Sequence, residues 1–153
     1  MKTVLTKKIE RALYEYCREN GFFAVEEVTI NKKYGIVDTL AYSTKGTDYR
    51  GYVHTWRCFE IKVSKSDFYS KSKVTFVGNL NYYVMPYELY DVVKNDIGNG
   101  IGVILYRHNQ LYVEVSPKTR KTLVSDTILT RKFIGSMSRE VDKAKTILWN
   151  MEE

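Results

Sequence analysis

The chain has 153 residues, 44% of them hydrophobic, enough for one domain (1–153) with a substantial core and too few for two. Lysine and arginine outnumber aspartate and glutamate by 24 to 18, a formal net charge of +6 with a sequence pI near 9.2, which favours polyanionic partners. The opening MKTVLTKKIERAL lacks the apolar run of a secretory signal, and no window approaches the ~20 apolar residues of a bilayer span, so a soluble, cytoplasmic protein with no membrane partner is expected.

From Thr6 to Asn20 the apolar residues Ile9, Leu13 and Tyr16 recur at helical spacing and Asn20-Gly21 supplies the stop, predicting a first helix. FFAVEEVTI (22–30) and YGIVDTLAY (34–42) read as strands joined by a turn at Lys32-Lys33. The polar stretch STKGTDYRG (43–51) is expected to form a hairpin loop leading into a third strand, YVHTWRCFEIKV (52–63). Ser64 and Asp67 have the side chains that cap helices, so a short helix is predicted from there to near Gly78. The strand NYYVM follows, then a helix YELYDVVKND opened by Pro86, and two paired strands, 101–106 and 111–115, around His108, Asn109 and Gln110. A last helix is predicted from about Ser138 to Met151, with Val141, Ala144, Leu148 and Met151 on one stripe.

A helix between strands three and four makes a crossover, so those two should run parallel in a sheet whose first three strands form an antiparallel meander. The fold class is therefore α/β, a mixed sheet with helices on both sides. Cys17 and Cys58 lack any metal-site spacing and are expected to be reduced and buried.

Strand alternation puts Trp56, Cys58, Glu60 and Lys62 on one side and Arg57, Phe59, Ile61 and Val63 on the other, so two opposite charges end an apolar face. Asp38 interrupts the strand-forming GIV-TLAY, where a carboxylate costs free energy unless it is paired or bound to a cation. If strands two and three are antiparallel neighbours, Asp38 approaches Glu60, and two such carboxylates repel unless a cation lies between them. Oxygen donors of this kind favour Mg²⁺ or Mn²⁺ over zinc.

GIVDTLAY followed by CFEIKVSKSDF resembles the PD-(D/E)XK signature of restriction-endonuclease-like nucleases, and FEIKVSKSDFYS, NYYVMP and GIGVILY are similar to MmcB-like DNA-repair proteins. The resemblance runs from about residue 5 to 115, with Val37 in place of the signature proline and a long interval between Asp38 and Glu60. It implies a restriction-endonuclease-like αβββαβ core and a metal-dependent endonuclease acting on DNA in repair, recombination or a phage context. It also implies that Asp38, Glu60 and the main-chain carbonyl of Ile61 bind the ion, that Lys62 orients the attacking water, and that a first-helix carboxylate, Glu10 or its rival Glu15, assists. The other readings are a catalytically inactive DNA-binding module and a protein-interaction factor.

Lys65, Lys71 and Lys73 follow the motif, and Arg50, in a loop expected to overhang the site, joins them as a candidate nucleic-acid contact. Tyr49, Tyr52 and Tyr69 are candidates to stack on unpaired bases, and Lys118, Arg120, Lys121, Arg131 and Lys132 are further backbone-contact candidates. His54 reads as structural. A homodimer is a possible assembly.

Overall fold

Thr3 decides where the first helix begins: its Oγ1 accepts from the Thr6 N–H at 3.1 Å, capping α1 (Val4–Glu19). Ile9, Leu13 and Cys17, spaced four apart, lie on one stripe of that helix and are fully buried. The computed structural model describes residues 2–153. Their strands are β1 (Phe23–Asn31), β2 (Gly35–Thr47), β3 (Gly51–Ile61), β4 (Leu80–Pro86), β5 (Gly102–Arg107) and β6 (Gln110–Val115). The other helices are α2 (Lys65–Phe68), α3 (Tyr87–Val93) and α4 (Asp126–Glu152).

The strands form one six-stranded mixed sheet in chain order. The meander β1–β2–β3 is antiparallel, β3–β4 and β4–β5 are parallel, and β5–β6 closes antiparallel. The class is α/β with helices on both faces. α1 seals one face against Ala24, Ala41, Phe59, Ile61, Tyr82, Val84 and Ile104, where Phe59 and Tyr82 stack with centroids 4.9 Å apart. On the other face Leu129 and Phe133 of α4 meet Val25, Val28, Leu40, Trp56 and Cys58, while Leu89 and Val93 of α3 cover Met85, Val103 and Leu105. Trimming a fully buried side chain such as Leu13 to alanine costs ~2–5 kcal/mol by the usual cavity penalty.

Cys17 and Cys58 lie in the clusters on opposite faces and are free, and burial pushes each thiol up to about 12. No helix among the described residues is long and apolar enough to cross a membrane.

Three sequence-based expectations are corrected. The polar stretch 43–51 is largely paired strand: β2 and β3 continue as a two-stranded ribbon to the Thr47–Gly51 pair, past the last β1 partner, Phe23–Tyr42. Gly46 makes the close pairing possible, since a Cβ there would lie 2.1 Å from the Gly51 carbonyl.

The helix expected from Ser64 to near Gly78 stops at Phe68. Beyond it Thr75 donates its N–H to the Glu60 carboxyl at 3.1 Å and its hydroxyl to the Tyr34 carbonyl at 2.5 Å, so the main chain bonds to its surroundings rather than to itself. The last helix starts at Asp126, not Ser138, because Ser125 Oγ caps the Ile128 N–H at 3.2 Å and Leu129, Phe133 and Ser136 find a buried face. Burial there overrides the weak helix propensity of its Thr, Ile and Gly residues.

Candidate functional site

Thr39 pairs with Phe59 in the β2–β3 register, so Asp38 and Glu60 come together one step farther along, at the end of β3. Asp38 Oδ2 accepts from the Ile61 N–H at 2.9 Å. Glu60 is 3% exposed and Lys62 5%, on the face that carries Trp56 and Cys58, as strand alternation predicts. Glu10, Asp38, Glu60, Ile61 and Lys62, drawn from a helix and two strands, line one cleft of about 440 Å³, with Lys2, Thr3, Thr6, Glu27, Val63, Ser64, Asp67, Ser72 and Lys73 around them.

The electrostatics are those of an undercompensated carboxyl pair. Burial first, then repulsion by Asp38 and a hydrogen bond shared with it, pushes the Glu60 carboxyl up to about 9, against the opposing help of the Thr75 N–H and Lys62. Without a further cation Glu60 keeps its proton at neutral pH and is hydrogen-bonded to Asp38. Lys62 forms no ion pair among the described residues, so its ammonium is left to the cleft.

A divalent ion fits this donor set. The cleft lining offers carboxylates, hydroxyls and main-chain oxygen but no His or Cys, which matches hard oxygen-seeking cations. No three His, Cys, Asp or Glu side chains among the described residues converge on a metal-sized point, so the set would be Asp38 and Glu60 completed by main chain and water.

Of the two rival helix carboxylates, Glu10 faces the cleft, whereas Glu15 pairs with Arg11 at 3.4 Å and lines hollows beside Tyr16 and Asn109. Sequence reasoning missed Glu27 and Lys2. Lys2 Nζ lies 2.6 Å from Glu10 and 2.8 Å from Glu27, bridging them across the cleft. Partial burial would lower the Lys2 ammonium, but hydrogen bonds to Glu10 and then Glu27 outweigh it and raise it. The hydrogen bond from Lys2 in turn holds Glu27 below the usual carboxylate range. Glu27 sits in mid-strand with φ 55°, where β1 leaves strict alternation and Val25 and Val28 fall in one cluster. The doubled glutamate between Ala24-Val25 and Val28 was the available signal.

The lysines divide. Lys73 lines the cleft and donates to the Lys32 and Lys33 carbonyls at 3.0 and 3.2 Å, tying the β3–β4 connection to the β1–β2 turn. Lys65 and Lys71 are exposed on that connection, outside the lining. Ser64 Oγ accepts from the Asp67 N–H at 3.1 Å and Asp67 from the Val63 N–H at 3.0 Å, the capping role expected of them. Tyr69 donates its hydroxyl to Asp96, and Arg120 donates to the Phe76 carbonyl, so both have structural work.

Arg50 does not overhang the cleft. It is absent from the cleft lining and lies in the turn past Thr47, itself nine residues along β2 from Asp38, a contour of ~30 Å at the usual strand rise. Tyr49, Tyr52 and His54, which bonds to Tyr42, share that ribbon.

No protein-family model matches the chain, and no curated protein matches it. Among solved structures it is similar to the SPO1766 protein of unknown function from Silicibacter pomeroyi, with a TM-score of 0.71 at 15% identity over 99% of this chain and 96% of that one. At that identity the likeness establishes the shared fold alone.

Proposed function

We propose that the protein is a nuclease of the PD-(D/E)XK kind on a restriction-endonuclease-like core, hydrolysing DNA phosphodiester bonds with Mg²⁺ or Mn²⁺ in repair, recombination or a mobile-element setting. The observation that carries this reading is the gathering of Asp38, Glu60, Lys62 and Glu10 on one cleft, where burial and then the neighbouring Asp38 raise Glu60 to about 9. Asp38 and Glu60 would hold the ion, with the Ile61 carbonyl as a main-chain donor. When bound, such an ion neutralises phosphate charge and acidifies a coordinated water.

The chain's own groups supply the rest. The Ile61 N–H fixes the Asp38 carboxylate at 2.9 Å, and the Thr75 N–H fixes Glu60 at 3.1 Å, so both oxygens are oriented before substrate arrives. Lys62, buried along its stem and without a carboxylate partner, presents its charge to a water or a phosphate oxygen. Glu10 lines the same cleft, where its carboxylate is held by Lys2 at 2.6 Å. Lys73 in the cleft lining and the exposed Lys65 and Lys71 on the same connection would serve as backbone contacts, and Arg50 would meet the same duplex well away from the cut.

The deciding experiment incubates the purified protein with plasmid, single-stranded and branched DNA in Mg²⁺, Mn²⁺ or EDTA. Metal-dependent nicking or cutting that Asp38→Asn abolishes is the expected result. Tight, salt-sensitive binding with no cleavage of any substrate would move the protein to the DNA-binding-module reading, and no binding at all would end both.

A further inference from the structure

α4 is 27 residues long, ~40 Å at the helical rise, and only its first half is used by the sheet. Leu129, Phe133 and Ser136 are its buried residues, and every residue from Val141 onward is exposed. The exposed part is not polar. Ile134, Val141, Ala144, Leu148 and Met151, with Met137 half-buried against the sheet cluster among them, recur three and four residues apart, the 3.5-residue period of a helix–helix seam, and Ile147 and Trp149 are exposed beside it. Ile134 is 61% exposed, Val141 50%, Leu148 57% and Met151 78%. At about 100° per residue this seam lies roughly a quarter-turn from the sheet-facing stripe, which it meets at Met137, and from Val141 onward a partner helix could lie beside α4 clear of the sheet.

We propose that α4 is a dimerisation helix, its Ile134–Met151 seam pairing in parallel with the same seam of a second copy of this chain. The seam is self-complementary. With Ile134, Val141 and Leu148 at the first seam position of each heptad, Lys145 and Glu140, the latter also paired within its helix with Arg139 at 3.2 Å and Lys143 at 3.6 Å, fall on the flanks, five residues apart. In a parallel pair those two positions face each other across the interface, and two-fold symmetry makes the contact twice. An antiparallel pair sets like flanks together and loses the match. The β-branched Ile134 and Val141 at first positions also suit two parallel strands. A lipid surface is the poorer fit, because residues 141–153 carry three acidic and two basic side chains, without the basic excess that holds a helix on anionic headgroups. Dimerisation through α4 does not depend on what the cleft hydrolyses, so the two readings fail separately.

Sedimentation equilibrium of the full chain across roughly 1–500 µM, the range in which short seams associate, tests this. The parent should show a monomer–dimer equilibrium, and Leu148→Lys, exposed and therefore harmless to folding by circular dichroism, should be monomeric throughout. Lys145→Glu should raise Kd about tenfold by setting two glutamates together, and Glu140→Lys with Lys145→Glu should recover affinity to within about threefold of the parent. A parent that stays monomeric, or a dimer that survives Leu148→Lys, overturns the proposal. A double variant no tighter than Lys145→Glu overturns the parallel register. Parent protein that floats with phosphatidylcholine vesicles instead of self-associating assigns the seam to lipid and overturns it too.

Discussion

The Asp38 carboxylate accepts a hydrogen bond from the Ile61 N–H at 2.9 Å, so the strand that carries Glu60 and Lys62 also aims the carboxylate of its neighbour. Loss of either carboxylate should therefore be felt as lost cation affinity before it is felt as lost structure. Glu60→Gln is expected to weaken Mn²⁺ binding at least tenfold and abolish cleavage, whereas Lys62→Ala should keep the ion and lose about 10²–10³ in turnover. Calorimetric Mn²⁺ titration beside a nicking assay separates them; a Lys62→Ala protein that cuts normally would remove Lys62 from the chemistry.

Stability of the metal-free protein should fall as pH rises. Glu60 is raised from 4.5 to about 9, so the folded chain holds a proton that the unfolded chain releases between those values. Its favourable contribution is complete below the unfolded value and is lost as pH climbs through the folded one. Thermal melts from pH 5 to 9 should show a declining Tm that Mg²⁺ restores. Glu60→Gln should flatten the decline and add ~1–3 kcal/mol at pH 8, since a neutral amide relieves the crowded pair. A variant whose Tm falls with pH as steeply as the parent's would refute the assignment.

Glu10 and Glu15 differ in what they face. Glu10→Gln should lower cleavage tenfold or more, and Glu15→Gln should leave it within a factor of two, with both melting close to the parent because each carboxylate is at least partly exposed. Equal loss in the two variants would dissociate the helix carboxylate from the site.

Arg50 lies outside the cleft lining, at the far end of the β2–β3 ribbon. Arg50→Ala should leave kcat unchanged and raise KM only for duplexes longer than ~9 base pairs, the length that spans ~30 Å of B-form DNA. Cleavage kinetics on a ladder of duplex lengths reads this out, and a kcat effect on the shortest substrate would bring the ribbon back to the cleft.

Much of this arrangement is legible in the residues because it follows from alternation and topology. Asp38 and Glu60 are out of place on apolar strands, and antiparallel pairing of those strands brings them together. Four features were not legible. The ribbon depends on Gly46 admitting a close backbone, and the early start of α4 on burial of Leu129 and Phe133 against strands far away in sequence. The bridge from Lys2 to Glu10 and Glu27 needs the residue ahead of α1 to reach a strand 25 residues on, which no local pattern encodes. The stretch after Phe68 has helix-like punctuation, but its Thr75 amide is claimed by a side chain that no local pattern places nearby, that of Glu60.

That last bond makes Thr75 a spectroscopic probe of the site. Its amide proton points at a carboxyl that is protonated, ionised or cation-bound according to conditions, and each state polarises the N–H differently. In an ¹⁵N-correlated spectrum the Thr75 cross-peak should move with pH in step with Glu60 and move again on adding Mg²⁺, so the occupancy of the carboxyl pair can be followed in solution without a substrate and without a mutation.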